Sequence, residues 1–233
     1  SGASLENLLN EAALAAAERD DGIIDRRDLQ MAFYRAVAGA DREIIASERE
    51  RNIIAVHESG HAIASHLLAP QNKLARISIL PAGHGAAGYN LCVPAERVMV
   101  EKRHMENQIQ VLLAGRAAEQ LVFGDDALTA GASSDLARAT ELAATMVMEL
   151  GMYDDPAISL KVLGHFCGTG TGGAEACRAL LREMYTHVSE LLASQIGAVD
   201  ALASALLQAE SLEGDIAGRI IDTHLSIERP ESA

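Results

Sequence analysis

The sequence predicts a mainly α protein with one small β-sheet or hairpin. Three observations carry that expectation. Apolar residues make up 49% of the chain but aromatics only 3%, with no Trp, and alanine and leucine supply most of the apolar content, a mix that favours packed helices over aromatic-rich strands. Apolar residues recur at helical spacing through most of the chain. A single stretch, Ile77-Ser78-Ile79-Leu80, alternates like a strand before a glycine-rich turn.

Taken in order, Leu5, Leu8, Leu9, Ala12 and Ala16 mark an amphipathic helix over residues 5–17. Asp25 and Asp28 open a second, with a stripe of Leu29, Ala32, Phe33, Ala36 and Val37 and a stop at Gly39. Gly39-Ala40-Asp41 separates this pair from a third helix running from Ser47 to Leu68. Beyond Pro70 come the alternating strand, a turn over Ala82 to Gly88, and a partner strand from Tyr89 to Val93. Helical spacing returns from His104 to Phe123, with Gly124 as its end, and again from Ser133 or Ser134 to Glu149. Residues 152–173 read as irregular. The run from Gly168 to Gly173 is glycine-rich, but no Gly-Lys-Ser/Thr follows, so it is a flexible loop and no P-loop. Three further helical patterns close the chain: Leu180/Met184/Val188/Leu191, Leu202/Leu206 and Ile216/Ile220. There is no internal repeat.

Composition narrows the function classes. The 233 residues suffice for one large domain or a domain with an appendage, and a net charge of -14 without a basic stripe argues against nucleic acid as a partner. Cys92, Cys167 and Cys177 are widely spaced and form no C-x-x-C pair, as reduced thiols of a cytosolic protein would be. No apolar run approaches a membrane span and Ser1 opens no signal peptide, so the chain is expected not to enter a membrane by itself.

The chemistry concentrates in His57-Glu58-Ser59-Gly60-His61. Residues four apart share a helix face, so His57 and His61 can present two imidazoles to one metal ion. Glu58 then faces the same cleft as a carboxylate able to take a proton from the attacking water. Gly60 removes a side chain where another element can approach closely. The helix is apolar nearly all round (Ile53, Ile54, Ala55, Val56, Ala62, Ile63, Leu67 and Leu68). Two imidazoles and a carboxylate have little reason to sit there unless they are satisfied together. A catalytic zinc site needs a third protein ligand. The longer H-E-x-x-H-x-x-G-x-x-H pattern would place it at Leu67, and His66 is one residue out of register. Glu119 and Asp135 are the remaining candidates.

HESGH, Ile79-Leu80-Pro81, Gly88-Tyr89 and Leu113-Ala114-Gly115-Arg116-Ala117-Ala118-Glu119 through Phe123-Gly124 together resemble the FtsH family of ATP-dependent zinc proteases. Gly131-Ala132-Ser133-Ser134-Asp135, Met146-Val147, Gly151-Met152 and Leu202-Ala203-x-x-Leu206-Leu207 continue the resemblance in the family's order. It implies a helical zinc metallopeptidase domain over residues 46–233, preceded at 1–45 by the end of a helical AAA ATPase lid. It also implies that Asp135 completes the zinc site with His57 and His61, that Glu58 is the base, and that Glu119 orients a ligand histidine or supports the site electrostatically. An acid at Asp135 also suits the first turn of a helix. The strand around Gly88-Tyr89-Asn90 would pair with an extended substrate.

The parent protein implied is membrane-anchored at the cytoplasmic face of the inner membrane, hexameric, and degrades unfolded or misassembled polypeptides. ATP would serve only the absent ATPase module, and membrane contact only segments upstream, leaving this chain soluble. Departures from the family pattern are Ala82, Ala130, the Pro94-Ala95-Glu96-Arg97 stretch and the loop from Asp154 to Gly173. The rival expectations are a catalytically weak or inactive hexamer-forming module of the same family, and another HExxH metallohydrolase.

Overall fold

The computed structural model describes residues 2–18, 22–38, 46–81, 87–96, 98–167 and 172–225. The chain divides into two compact units, one of residues 1–45 with 80–89 and the other of 46–79 with 90–233. In the first, α1 (Gly2–Glu18) packs on α2 (Arg26–Ala38). Asp25 starts α2 by accepting from the backbone N–H groups of Arg27 and Asp28 at 2.7 and 3.1 Å, while Asp28 accepts from the N–H of Asp25 at 2.8 Å. This reciprocal cap satisfies donors that a helix start leaves open. Small residues do the packing: Ala12, Ala16 and Ala32 are buried with Tyr34, whereas Leu5, Leu9, Leu29 and Phe33 of the expected stripes are exposed. The expected stop and linker at Gly39-Ala40-Asp41 lie outside the described residues.

The second unit is built around α3 (Glu48–Leu68). Ser47 and Glu50 form a capping box at its start: Ser47 Oγ accepts from Glu50 N–H at 3.3 Å, and Glu50 accepts from Ser47 N–H at 2.8 Å. Its other end is held by α4 (Lys102–Phe123), where Asn107 donates to the carbonyl of Leu68 at 2.7 Å. Helix α5 (Ser133–Ala144) continues into a π-helical turn, Thr145–Glu149, which buries Met146 and Val147. Helices α6 (Leu160–Cys167), α7 (Gly172–Ser194), α8 (Ile196–Ala209) and α9 (Gly214–His224) follow. α3 packs on α4 and α8, and α4 on α7, around a core that includes Ile63, Ile109, Leu180, Leu192, Leu202, Leu206 and Ile221.

Among the described residues the sheet has three strands in the order β2-β1-β3: β1 (Lys73–Ser78), β2 (Tyr89–Val93) and β3 (Ser211–Glu213). β1 therefore includes Ile77 and Ser78 of the expected strand but begins at Lys73 and ends before Ile79. It runs antiparallel to β3, with Arg76 opposite Glu213 and Ser78 opposite Ser211. β3 is too short to show a period of two. Four helical details also differ from expectation. α6 occupies part of the region read as irregular, and Gly172 and Gly173 begin α7 rather than ending a loop, while 168–171 lie outside the described residues. The core position near the end of α7 is Leu192 rather than Leu191. In α9 the buried residues are Gly214, Ala217 and Ile221, the last two one residue on from Ile216 and Ile220. Among the described residues, no single helix is long and apolar enough to cross a membrane.

Candidate metal centre

His57 and His61 stand one turn apart on α3, their rings edge-on at 76° with centroids 4.7 Å apart. Each ring is pinned through Nδ1 by α4. His57 Nδ1 lies 2.6 Å from Glu119 Oε1, and His61 Nδ1 lies 2.7 Å from the carbonyl oxygen of Val111. A carboxylate and a carbonyl accept, so both Nδ1 atoms carry the proton and both Nε2 atoms present lone pairs. Glu119 is itself held in place: it is 1% exposed, and the backbone N–H of Thr129 donates to its Oε2 at 3.2 Å. Arg116 donates to the carbonyl of Thr129, which fixes that loop in turn.

The two Nε2 atoms face each other at 3.0 Å. Asp135, in the first turn of α5, brings Oδ2 to 3.6 Å from His57 Nε2 and 3.3 Å from His61 Nε2. Three electron-pair donors thus converge, on two rings whose protons are committed elsewhere, and lone pairs at that separation repel unless a cation lies between them. Tetrahedral zinc with bonds of about 2.0–2.1 Å needs ligand atoms about 3.3 Å apart. The triangle of 3.0, 3.3 and 3.6 Å meets that requirement with three protein ligands, the number that leaves a position open. Among the described residues, His57, His61 and Asp135 form a group that could hold a metal ion.

A proton is drawn to this same cluster of donors, and a metal ion would compete with it for the Nε2 lone pairs. Burial alone would lower the pKa of His57, but its contacts with Asp135 and Glu119 outweigh burial and lift it to about 9. Burial opposes ionisation of Asp135 and Glu119, yet the histidines hold Asp135 well below the usual carboxylate range, and His57, Thr129 and Arg116 lower Glu119. Glu58 goes the other way: burial pushes its carboxyl up, against the pull of both histidines and of Asn90. A buried carboxyl with a raised proton affinity is suited to accept a proton.

Two glycines make the geometry possible. A Cβ on Gly60 would lie 2.6 Å from the carbonyl oxygen of Ala114 and 2.7 Å from Ala118 Cβ, so α3 and α4 meet at the close approach expected there. A Cβ on Gly115 would lie 2.5 Å from His57 Nε2 and 2.6 Å from His61 Nε2, inside the ligand cluster. Gly115 carries no titratable group, so reading residues for chemistry passes over it. His66 points away from the cluster and pairs with Asp222 at 2.8 Å. Of the three strand residues, Gly88 precedes β2, Tyr89 is its first residue, and Asn90 reaches the cluster, donating to Glu58.

A helix-borne His-Glu-His set whose glutamate is buried, together with a carboxylate from a later helix, defines the metallopeptidase class of site. The family model described as Peptidase family M41 matches residues 44–161, and the chain belongs to that family. Relatives extend the match over nearly the whole chain. An ATP-dependent zinc metalloprotease FtsH from Pseudothermotoga lettingae is 40% identical over 244 residues, covering 97% of this chain and 39% of its own length. FtsH 1 from Alkaliphilus metalliredigens is 37% identical over 223 residues (92% and 37%). FtsH from Thermus thermophilus is 36% identical over 243 residues (99% and 38%). The chain thus spans under two fifths of the length of these relatives.

Proposed function

We propose that this chain is the zinc endopeptidase domain of an ATP-dependent, membrane-anchored protease that degrades unfolded or misassembled polypeptides. The observation that carries the reading is the triangle of His57 Nε2, His61 Nε2 and Asp135 Oδ2, with both Nδ1 protons already committed. Zinc bound there would supply Lewis acidity, lowering the pKa of water to about 7 and steadying negative charge on the peptide oxygen.

The chain's own residues perform the remaining steps. Glu58 accepts the proton of the attacking water and returns it to the leaving amine nitrogen. Glu119 holds His57 in the tautomer that keeps Nε2 available, and the Val111 carbonyl does the same for His61. β2 is the last strand on its side of the sheet among the described residues, so an extended polypeptide can add beside Gly88, Tyr89 and Asn90 through backbone hydrogen bonds. Such recognition is weak in sequence preference, which suits a protease whose selection lies in a motor. In the parent protein, residues 1–45 would be the end of that ATPase's helical lid, the assembly a homo-hexamer, and the location the cytoplasmic face of the inner membrane.

The test is metal analysis of the purified chain, together with cleavage of a short unstructured peptide by the wild type and by Glu58→Gln. The expected result is one zinc per chain in both proteins, with cleavage reduced by at least about 100-fold in Glu58→Gln. Zinc without cleavage in either protein would favour an inactive ring-forming module. Cleavage unchanged by the substitution would remove Glu58 from its assigned role.

A further inference from the structure

Strand addition uses only the backbone of β2, yet one of its side chains reaches the candidate base. The amide nitrogen of Asn90 lies 2.6 Å from Glu58 Oε2 and 3.0 Å from the carbonyl oxygen of Glu58. A side-chain amide carries two N–H donors, so each acceptor receives one. Both acceptors belong to the same residue, and the clamp therefore fixes the Glu58 side chain relative to its own backbone.

The amide has no comparable alternative orientation. Turning it over would set its oxygen against two acceptors and lose both bonds, and Asn90 Oδ1 is buried without a hydrogen-bond partner. A buried orphan acceptor costs free energy. The pair of bonds from nitrogen, one of them to a carboxylate, offsets that cost. Oε2 is engaged by Asn90, and Oε1 makes no hydrogen bond to any described residue, which leaves it as the oxygen available to the water.

We propose that Asn90 is a positioning residue for the general base: its amide locks the Glu58 carboxylate so that Oε1 addresses the reacting water, and it ties the base to the strand along which substrate lies. This rests on the peptidase reading above. β2 then has two tasks, aligning the peptide through its backbone and aligning the base through Asn90, so both are set by one piece of chain.

The test compares the zinc-loaded wild type with Asn90→Leu and with the isosteric Asn90→Asp, which serves if leucine disturbs β2. In both variants kcat on an unstructured peptide should fall by about 10- to 100-fold, with KM and zinc content unchanged. A wild-type kcat in both, or a loss appearing in KM instead, overturns the proposal; the second result would assign Asn90 to substrate binding. A separate reading needs no activity. The Asn90 side-chain amide protons should exchange with solvent more slowly in the wild type than in Glu58→Ala, and equal rates would also overturn it. An inactive wild type with slow, Glu58-dependent exchange would leave the clamp standing and count against the peptidase reading alone.

Discussion

His57 Nδ1 lies 2.6 Å from Glu119 Oε1, a contact that joins a candidate ligand on α3 to a buried carboxylate on α4. It fixes the ring's tautomer and raises the basicity of Nε2. Glu119→Gln keeps an acceptor of the same shape but loses the charge. Zinc affinity should drop by about 10- to 100-fold, read by competition with a chelator, while the fold persists. Undiminished affinity would leave Glu119 a structural carboxylate only.

Asp135 separates from Glu119 in the same experiment. Removing it by Asp135→Ala deletes one of three donors, so stoichiometric zinc binding should be lost rather than weakened. Helical circular dichroism should stay near that of the wild type, because Asp135 is only in the first turn of α5. Retained zinc in Asp135→Ala and lost zinc in Glu119→Ala would reverse the two assignments.

Zinc should also stabilise the domain. An ion bound by the folded chain and not the unfolded one adds about 4 kcal/mol when present at 1,000 times its Kd. Melts with zinc and with a strong chelator should therefore differ by several degrees, and the difference should vanish in Asp135→Ala. Identical melts for the wild type would count against a folded-state zinc site.

The two glycines predict different failures. In Gly115→Ala the methyl group would enter the ligand cluster, 2.5 Å from His57 Nε2, so zinc binding should suffer most. In Gly60→Ala the clash is with backbone and Cβ atoms of α4. Overpacking of that kind costs about 1–3 kcal/mol, which outweighs the gain of about 1 kcal/mol from better helix propensity at the upper end of that range. Denaturant midpoints and zinc titrations on both variants would check the division.

Alkaline pH should expose one helix contact. Burial raises the pKa of Tyr185, whose hydroxyl donates to Gln120 Oε1 at 2.6 Å and ties α7 to α4. A folded-state value above the unfolded one, near 10, means that the unfolded chain loses the phenolic proton first. Its contribution is complete below pH 10 or so and declines as pH rises through the folded value. Urea midpoints between pH 9 and 11 should fall less steeply in Tyr185→Phe than in the wild type.

The site was legible where its logic is local. His57, Glu58 and His61 share one helical turn and its neighbour. Glu119 and Asp135 come from other helices, so spacing left them open and family resemblance was needed to order them. Gly115 was out of reach for a different reason: its contribution is an absent side chain, visible only once α4 is set against α3. The fold shows the same division. α3 and α4 declare themselves by long periodic runs. β3 is three residues whose register depends on β1, more than 130 positions earlier. The stripe read in α9 was one residue out, since Ile216 and Ala217 are neighbours and spacing alone does not say which side meets the core.

The two histidine anchors differ in what mutation can reach. His57 depends on a carboxylate side chain that one nucleotide change can remove. His61 depends on the carbonyl of Val111, a group every residue type at that position would carry. Sequence drift can therefore detune one half of the centre while the other half endures as long as α4 itself does, and an impaired relative should show its damage first around position 119.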